Sequence, residues 1–136
     1  MPFSVSWYIK DEIIYTRYWG TVTAEDLRNC LLQTQEFMEH SPRSIIHVIS
    51  DVGDIVEPVS FKDSMKIVRE VGPHPRAGWT LNIREKSALI KMGASLGSSI
   101  FKMRFRAFST LDQAIDHLKF FDSAISWDKI DKSVAA

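Results

Sequence analysis

Residues 44–50 read Ser44-Ile45-Ile46-His47-Val48-Ile49-Ser50, an almost unbroken apolar run of strand length between two serines. A strand with one face in water alternates apolar and polar residues. A run without that alternation belongs to a strand covered on both faces, as in the middle of a parallel sheet. The fold follows from this segment outward. On its amino side, Thr23 and Asp26 stand in capping-box positions, and Leu27, Cys30, Leu31, Thr34 and Met38 repeat at helical spacing. Ser41-Pro42 stops that helix, because the residue before a proline is pushed out of the α region. Further upstream, Phe3, Val5, Trp7 and Ile9 alternate with Ser4, Ser6, Tyr8 and Lys10. The polar break Lys10-Asp11-Glu12 then leads into the β-branched and aromatic residues 13–19, so an antiparallel hairpin is expected.

On the carboxyl side, residues 51–58 read as a loop. Ser60 is placed to cap a helix whose stripe is Phe61, Ser64, Met65, Val68 and Val71, ended by Gly72-Pro73. Residues 79–83 read as strand, 85–102 as helix and 104–109 as strand. Thr110 with Gln113 then opens a last helix bearing Leu111, Ala114, Ile115, Leu118 and Phe121. The expected fold is α/β, a β-β-α-β-α-β-α-β-α sandwich around a mixed, mostly parallel sheet with a leading antiparallel hairpin. Residues 1–127 form one domain in this reading, and 128–136 a flexible tail.

Among 136 residues, seventeen Lys and Arg balance seventeen Asp and Glu, with 45% hydrophobic and 25% charged side chains. That balance is ordinary for a globular domain and argues against a disordered chain or a strongly basic nucleic-acid binder. The single cysteine, Cys30, excludes an internal disulfide, and with neither a secretory leader nor a long apolar run the expected location is the cytoplasm.

The runs Trp19-Gly20-Thr21-Val22-Thr23-Ala24-Glu25-Asp26-Leu27 and Gly78-Trp79, the strand 45–49 with Asp51 at its end, and Arg104-Phe105-Arg106-Ala107-Phe108-Ser109-Thr110-Leu111-Asp112 together resemble uncharacterised bacterial proteins of the SpoIIAA-like, or STAS-like, family. The resemblance covers about residues 3–127 and implies a non-enzymatic regulatory or protein-interaction module. Anti-sigma-factor antagonists of this fold bind a protein kinase and are switched by phosphorylation of a serine in an Asp-Ser-Ser-Gly-type turn. The corresponding stretch here, Asp51-Val52-Gly53-Asp54-Ile55-Val56-Glu57-Pro58-Val59-Ser60, departs from that pattern. Ser60 and Ser64 are the nearby serines left as possible phosphorylation sites, and Ser60 also reads as a helix cap.

In open α/β sheets, ligands bind beyond the carboxyl ends of the strands, where helix N-termini present free N–H groups. Thr21, Thr23, Asp51, Asp54, Ser60 and Thr110 fall in such loops and are the candidate ligand-binding residues. Each hydroxyl has a competing role as a helix cap. His40, His47, His74 and His117 show no ligand spacing, so no metal and no cofactor are expected. His47, inside the apolar run, reads as a core histidine bonded to a neighbour. No nucleophile, base and orienting group occur together, so no catalytic residue is named.

The helix expected over 85–102 carries a surplus of apolar surface. Leu89, Met92, Gly93, Leu96 and Ile100 form one face and Ile90, Ala94, Gly97 and Phe101 a second, more than a helix on one side of a sheet requires. Burial within the domain and an interface for a protein partner or a homodimer both account for it. A small-molecule or lipid pocket between the sheet and this helix is the alternative function. The basic residues Lys102, Arg104 and Arg106 among Phe101, Phe105 and Phe108 read as solvated charges beside core rings, so no nucleic-acid partner is expected.

Overall fold

A computed structural model describes residues 2–86 and 104–135. Among them, β1 (Phe3–Ile9), β2 (Ile13–Thr21), β3 (Ile46–Glu57), β4 (Ala77–Ile83) and β5 (Phe105–Phe108) form one sheet in the order β1-β2-β3-β4-β5. β1 and β2 are antiparallel, and every later pair is parallel. The helices α1 (Ala24–Glu39), α2 (Phe61–Val71) and α3 (Leu111–Phe121) complete the layers. The expected α/β class and mixed sheet are therefore observed, with the run 44–50 supplying the first half of the central strand. The helix expected over 85–102 lies, from residue 87 on, outside the described residues, as does its face Ile90, Ala94, Gly97 and Phe101.

Alternation along the strands divides the core into two layers. Ile14, Ile46 and Val48 pack with Met38 of α1, and Tyr18, Val22 and Val52 pack with Cys30. The opposite face presents Tyr15, Ile49, Leu81 and Ile83 to Ala114 and Leu118 of α3. Placing α1 and α2 on one face is the arrangement that successive right-handed crossovers produce when they advance in one direction across a sheet.

Local chemistry sets the helix starts. Thr23 Oγ1 accepts the Asp26 N–H at 3.1 Å while the Asp26 carboxylate accepts the Thr23 N–H at 3.0 Å, closing a capping box. Ser60 Oγ accepts from Asp63 N–H at 3.2 Å, and Thr110 Oγ1 from Gln113 N–H at 3.2 Å. The Gln113 side chain reaches the Ser109 N–H at 3.0 Å.

Two expectations are corrected. Residues 51–57 are strand rather than loop: β3 continues to Glu57 alongside β2, with pairing that shifts between Arg17 and Trp19 and again between Gly20 and Thr21. The bulges absorb the glycine and the acidic side chains that made this stretch look irregular. The end of the chain, expected as a tail, lies against the sheet instead. Trp127–Lys129 forms a single 3-10 turn, Trp127, Ile130 and Val134 pack on the α3-side core, and the Asp131 N–H donates to the Tyr8 carbonyl at 2.8 Å. Those apolar side chains pack on the cluster that holds Tyr8 and Ile9 of the outer strand together with Ala114 and Leu118 of α3.

Candidate functional site

At the carboxyl end of the parallel strands, on the α3 side of the sheet, a set of charged groups is linked side chain to side chain. Asp51 is buried. Its Oδ1 accepts from Arg84 Nε at 3.0 Å and from the Gly53 N–H at 3.0 Å, and its Oδ2 accepts from the Tyr15 hydroxyl at 3.2 Å. Arg84 Nη2 continues to Asp54 Oδ2 at 2.9 Å, which Arg17 Nη2 also contacts at 3.0 Å. The chain of contacts runs Tyr15, Asp51, Arg84, Asp54, Arg17.

The backbone makes this possible at two points. Arg84 takes a left-handed conformation, with φ of 58°, just after β4 ends, which turns its side chain back over the sheet. Gly53 leaves the space that the side chain occupies, because a Cβ there would stand 2.7 Å from Arg84 Cβ and 2.8 Å from its Cζ.

The electrostatics follow from the pairing. Hydrogen bonds from Arg17 and Arg84 hold the Asp54 carboxyl below its usual range. The hydrogen bond to Asp51 raises the Arg84 guanidinium further. Burial pushes the Tyr15 phenol up, and the neighbouring Asp51 charge adds to the effect, so Tyr15 stays a hydroxyl donor. Two arginines are thus paired with two carboxylates, with Arg84 bridging both.

The residues expected to bind a ligand are placed as follows. Thr23, Ser60 and Thr110 each cap their own helix. Thr21 is exposed at the end of β2, paired with Glu57. Of these, Asp51 and Asp54 are brought together on β3 beside Gly53, where Tyr15 and Arg17 of β2 and Arg84 just after β4 join them, although Tyr15, Arg17, Gly53 and Arg84 are not among the candidate residues. Alternation places Tyr15 and Arg17 on one side of β2, a signal the sequence does carry. Their register against β3 has no local signature. Beside this cluster, two large apolar side chains remain exposed on the sheet extension, Trp19 at 41% and Val56 at 77%.

Cys30 is fully buried on α1, where burial pushes its thiol up to about 11, with hydrogen bonds to Tyr18 and Thr34 opposing the shift only in part. Among the described residues, no group of three or more His, Cys, Asp or Glu side chains is placed to hold a metal ion, and no helix is long and apolar enough to cross a membrane.

No protein-family model matches the chain, and no curated protein matches it either. Solved structures do. A crystal structure of an uncharacterised DUF3478-family protein with a SpoIIAA-like fold, from Shewanella loihica PV-4, superposes with a TM-score of 0.60, covering 85% of this chain and 93% of that one at 16% identity. The fold is SpoIIAA-like. The Bacillus cell fate determinant SpoIIAA in its phosphorylated form superposes with a TM-score of 0.51, covering 85% of this chain and 98% of its own, also at 16% identity. On this SpoIIAA-like sheet the stretch 51–60 holds one serine, Ser60, and its hydroxyl oxygen already accepts the Asp63 N–H. Ser64 lies one turn further along α2 and is partly exposed.

Proposed function

We propose that the protein is a non-enzymatic, cytoplasmic regulatory or protein-interaction module that works without a cofactor, by associating with a second copy or another protein. The observation that carries this reading is the surface at the carboxyl end of β2 and β3. Its charges are already matched in the Arg17, Asp54, Arg84 and Asp51 network, while Trp19 and Val56 stand exposed beside them. A small charged ligand needs free charge to bind to; a protein surface needs exposed apolar anchors with a satisfied polar rim. The SpoIIAA-like fold and the resemblance to anti-sigma-factor antagonists support the same reading. The apolar pattern Ile90, Ala94, Gly97 and Phe101 supplies a second contact surface, and Ser60 and Ser64 are the positions on which a phosphate switch would fall. Sedimentation equilibrium tests the self-association. The wild type is expected to form a dimer that weakens in Trp19→Ser and in Gly97→Glu with the fold retained, and a wild type that stays monomeric at high concentration removes this version.

A second reading is favoured by one feature, a mostly apolar cavity of about 110 Å³ between the sheet and helices α1 and α2. Tyr18, Leu31, Met38, Val48, Val68 and Val71 are among its lining residues. Thr16 Oγ1 and Ser50 Oγ, 2.7 Å apart, satisfy each other within its wall. Its contents would be a small apolar molecule; the pocket expected beside residues 85–102 falls, from residue 87 on, outside the described residues. Native mass spectrometry of protein purified from cells distinguishes the readings, because a retained ligand supports this one and bare protein opposes it.

A further inference from the structure

We propose that His47, anchored by Asp122 at the end of α3, is a proton-sensitive clamp between the start of β3 and β4, and that its hold on Trp79 opens when the ring takes up a second proton. The imidazole is almost wholly buried. Its Nδ1 lies 3.0 Å from the backbone nitrogen of Trp79, which can only donate, so Nδ1 carries the lone pair. Nε2 therefore carries the hydrogen and donates it to Asp122 Oδ2 at 2.8 Å. One neutral tautomer satisfies both contacts.

The second proton can go only onto Nδ1, where it would meet the Trp79 N–H head on. The ring already fills the space beside β4: a Cβ at Gly78 would stand 2.5 Å from Nδ1, so the strand passes close only because residue 78 has no side chain. Protonation therefore breaks the link to Trp79 or turns the ring away from it. The surroundings add to this. Burial lowers the pKa of the ring, Asp122 acts in the opposite direction, and the positive charges of Arg43 and Arg104 reinforce the lowering. His117, on α3, is also electrostatically linked to His47, and burial lowers its pKa too.

The clamp closes on more than one element. Asp122 Oδ2 also accepts from Arg43 Nη2 at 3.0 Å, and its Oδ1 accepts the Ala124 N–H at 3.0 Å. Arg43 Nη1 stands 3.5 Å from Glu12 Oε1, which accepts the Ser126 N–H at 2.8 Å. Residues 122–126, which lead from α3 into the packed chain end, are thus attached to β3, to the preceding loop and to the β1–β2 turn. Trp79, whose amide His47 receives, stacks edge-on against His117 with ring centroids 4.5 Å apart.

His47→Gln tests the clamp, because an amide oxygen can accept from Trp79 and an amide nitrogen can donate to Asp122 without titrating. In ¹H–¹⁵N spectra followed from pH 7.5 to 5, the amides of Trp79, Ala124 and Ser126 are expected to move together in the wild type, with a midpoint below 6.5, and to stay in place in His47→Gln. A wild-type midpoint at or above 6.5, or the same response in His47→Gln, overturns the proposal. Asp122→Asn gives a second reading should the glutamine variant fail to fold: the His47 midpoint should drop by about one pH unit once the carboxylate charge is removed, and an unchanged or higher midpoint overturns the clamp.

Discussion

Gly53 and Arg84 occupy mutually exclusive volumes: the place where a Cβ of residue 53 would stand is 2.7 Å from the Cβ and 2.8 Å from the Nε of Arg84. Both ion pairs of Arg84 depend on that vacancy, and through them Arg84 joins the two carboxylates. Gly53→Ala is expected to destabilise the protein by about 1–3 kcal/mol through overpacking. Because the closest contact is to the Arg84 Cβ, the penalty should shrink in an Arg84→Gly background, where that atom is absent and the positive φ is unstrained. Urea titration of the two single variants and the double variant measures this coupling, and simple additivity would contradict it.

Ser60 can be separated into cap and switch by two substitutions. As an N-cap it predicts that Ser60→Ala costs about 1 kcal/mol while Ser60→Gly costs only about a few tenths, since glycine leaves the first turn open to water. Thermal melts of both variants check the order. Equal losses would argue against a capping role.

Cys30 should be unreactive in the folded protein. With its thiol pushed up to about 11 by burial, and no exposed surface, alkylation by iodoacetamide at pH 8 is expected to proceed only through opening of the domain. Labelling rates across a urea series should therefore follow the unfolding curve, whereas rapid modification in buffer alone would show that the α1 layer opens locally.

Acid should weaken the fold in a definite window. Asp54 is held low by the hydrogen bonds from Arg17 and Arg84. Burial pushes Asp122 up, but the hydrogen bonds from His47 and Ala124 and the Arg43 charge outweigh it, and its pKa is lowered too. The unfolded chain takes up protons near 3.8 while the folded one still excludes them, so this stabilisation is complete above that value and disappears as the pH falls through the lower folded values. Urea midpoints should decline steeply below about pH 4, and less steeply in Asp54→Asn.

The chain end contributes to the core. Ile130 and Trp127 pack on the cluster that contains Tyr8, Ile9 and Ile125. Ile130→Ala should cost about 1–2 kcal/mol, less than a fully buried isoleucine because Ile130 is only partly covered. A melting temperature equal to that of the wild type would mean that these residues lie on the sheet without supporting it.

The local part of the structure was legible in residue order. The uninterrupted run at 44–50, the alternation of 3–10 and the helical stripe from Leu27 to Met38 are periodicities, which register which faces meet water. Capping chemistry acts over three residues, so Thr23 with Asp26, Ser60, and Thr110 with Gln113 were visible as starts of helices. Residues 51–58 read as a loop because glycine and two aspartates are poor strand formers when taken alone. The tertiary structure makes 51–57 strand, matching Asp51 and Asp54 with arginines from β2 and from just after β4.

Sequence by itself therefore determined the order of the described strands and helices and the α/β class, since each rests on contacts with near neighbours or on a repeating exposure to solvent. Tertiary structure alone decided the pairings: Arg84 with Asp51 across 33 residues, and His47 with Asp122 across 75. Charge and hydrogen-bonding capacity can be read from a residue's identity, but its partner is set by strand register and helix placement, which arise only when the whole core packs.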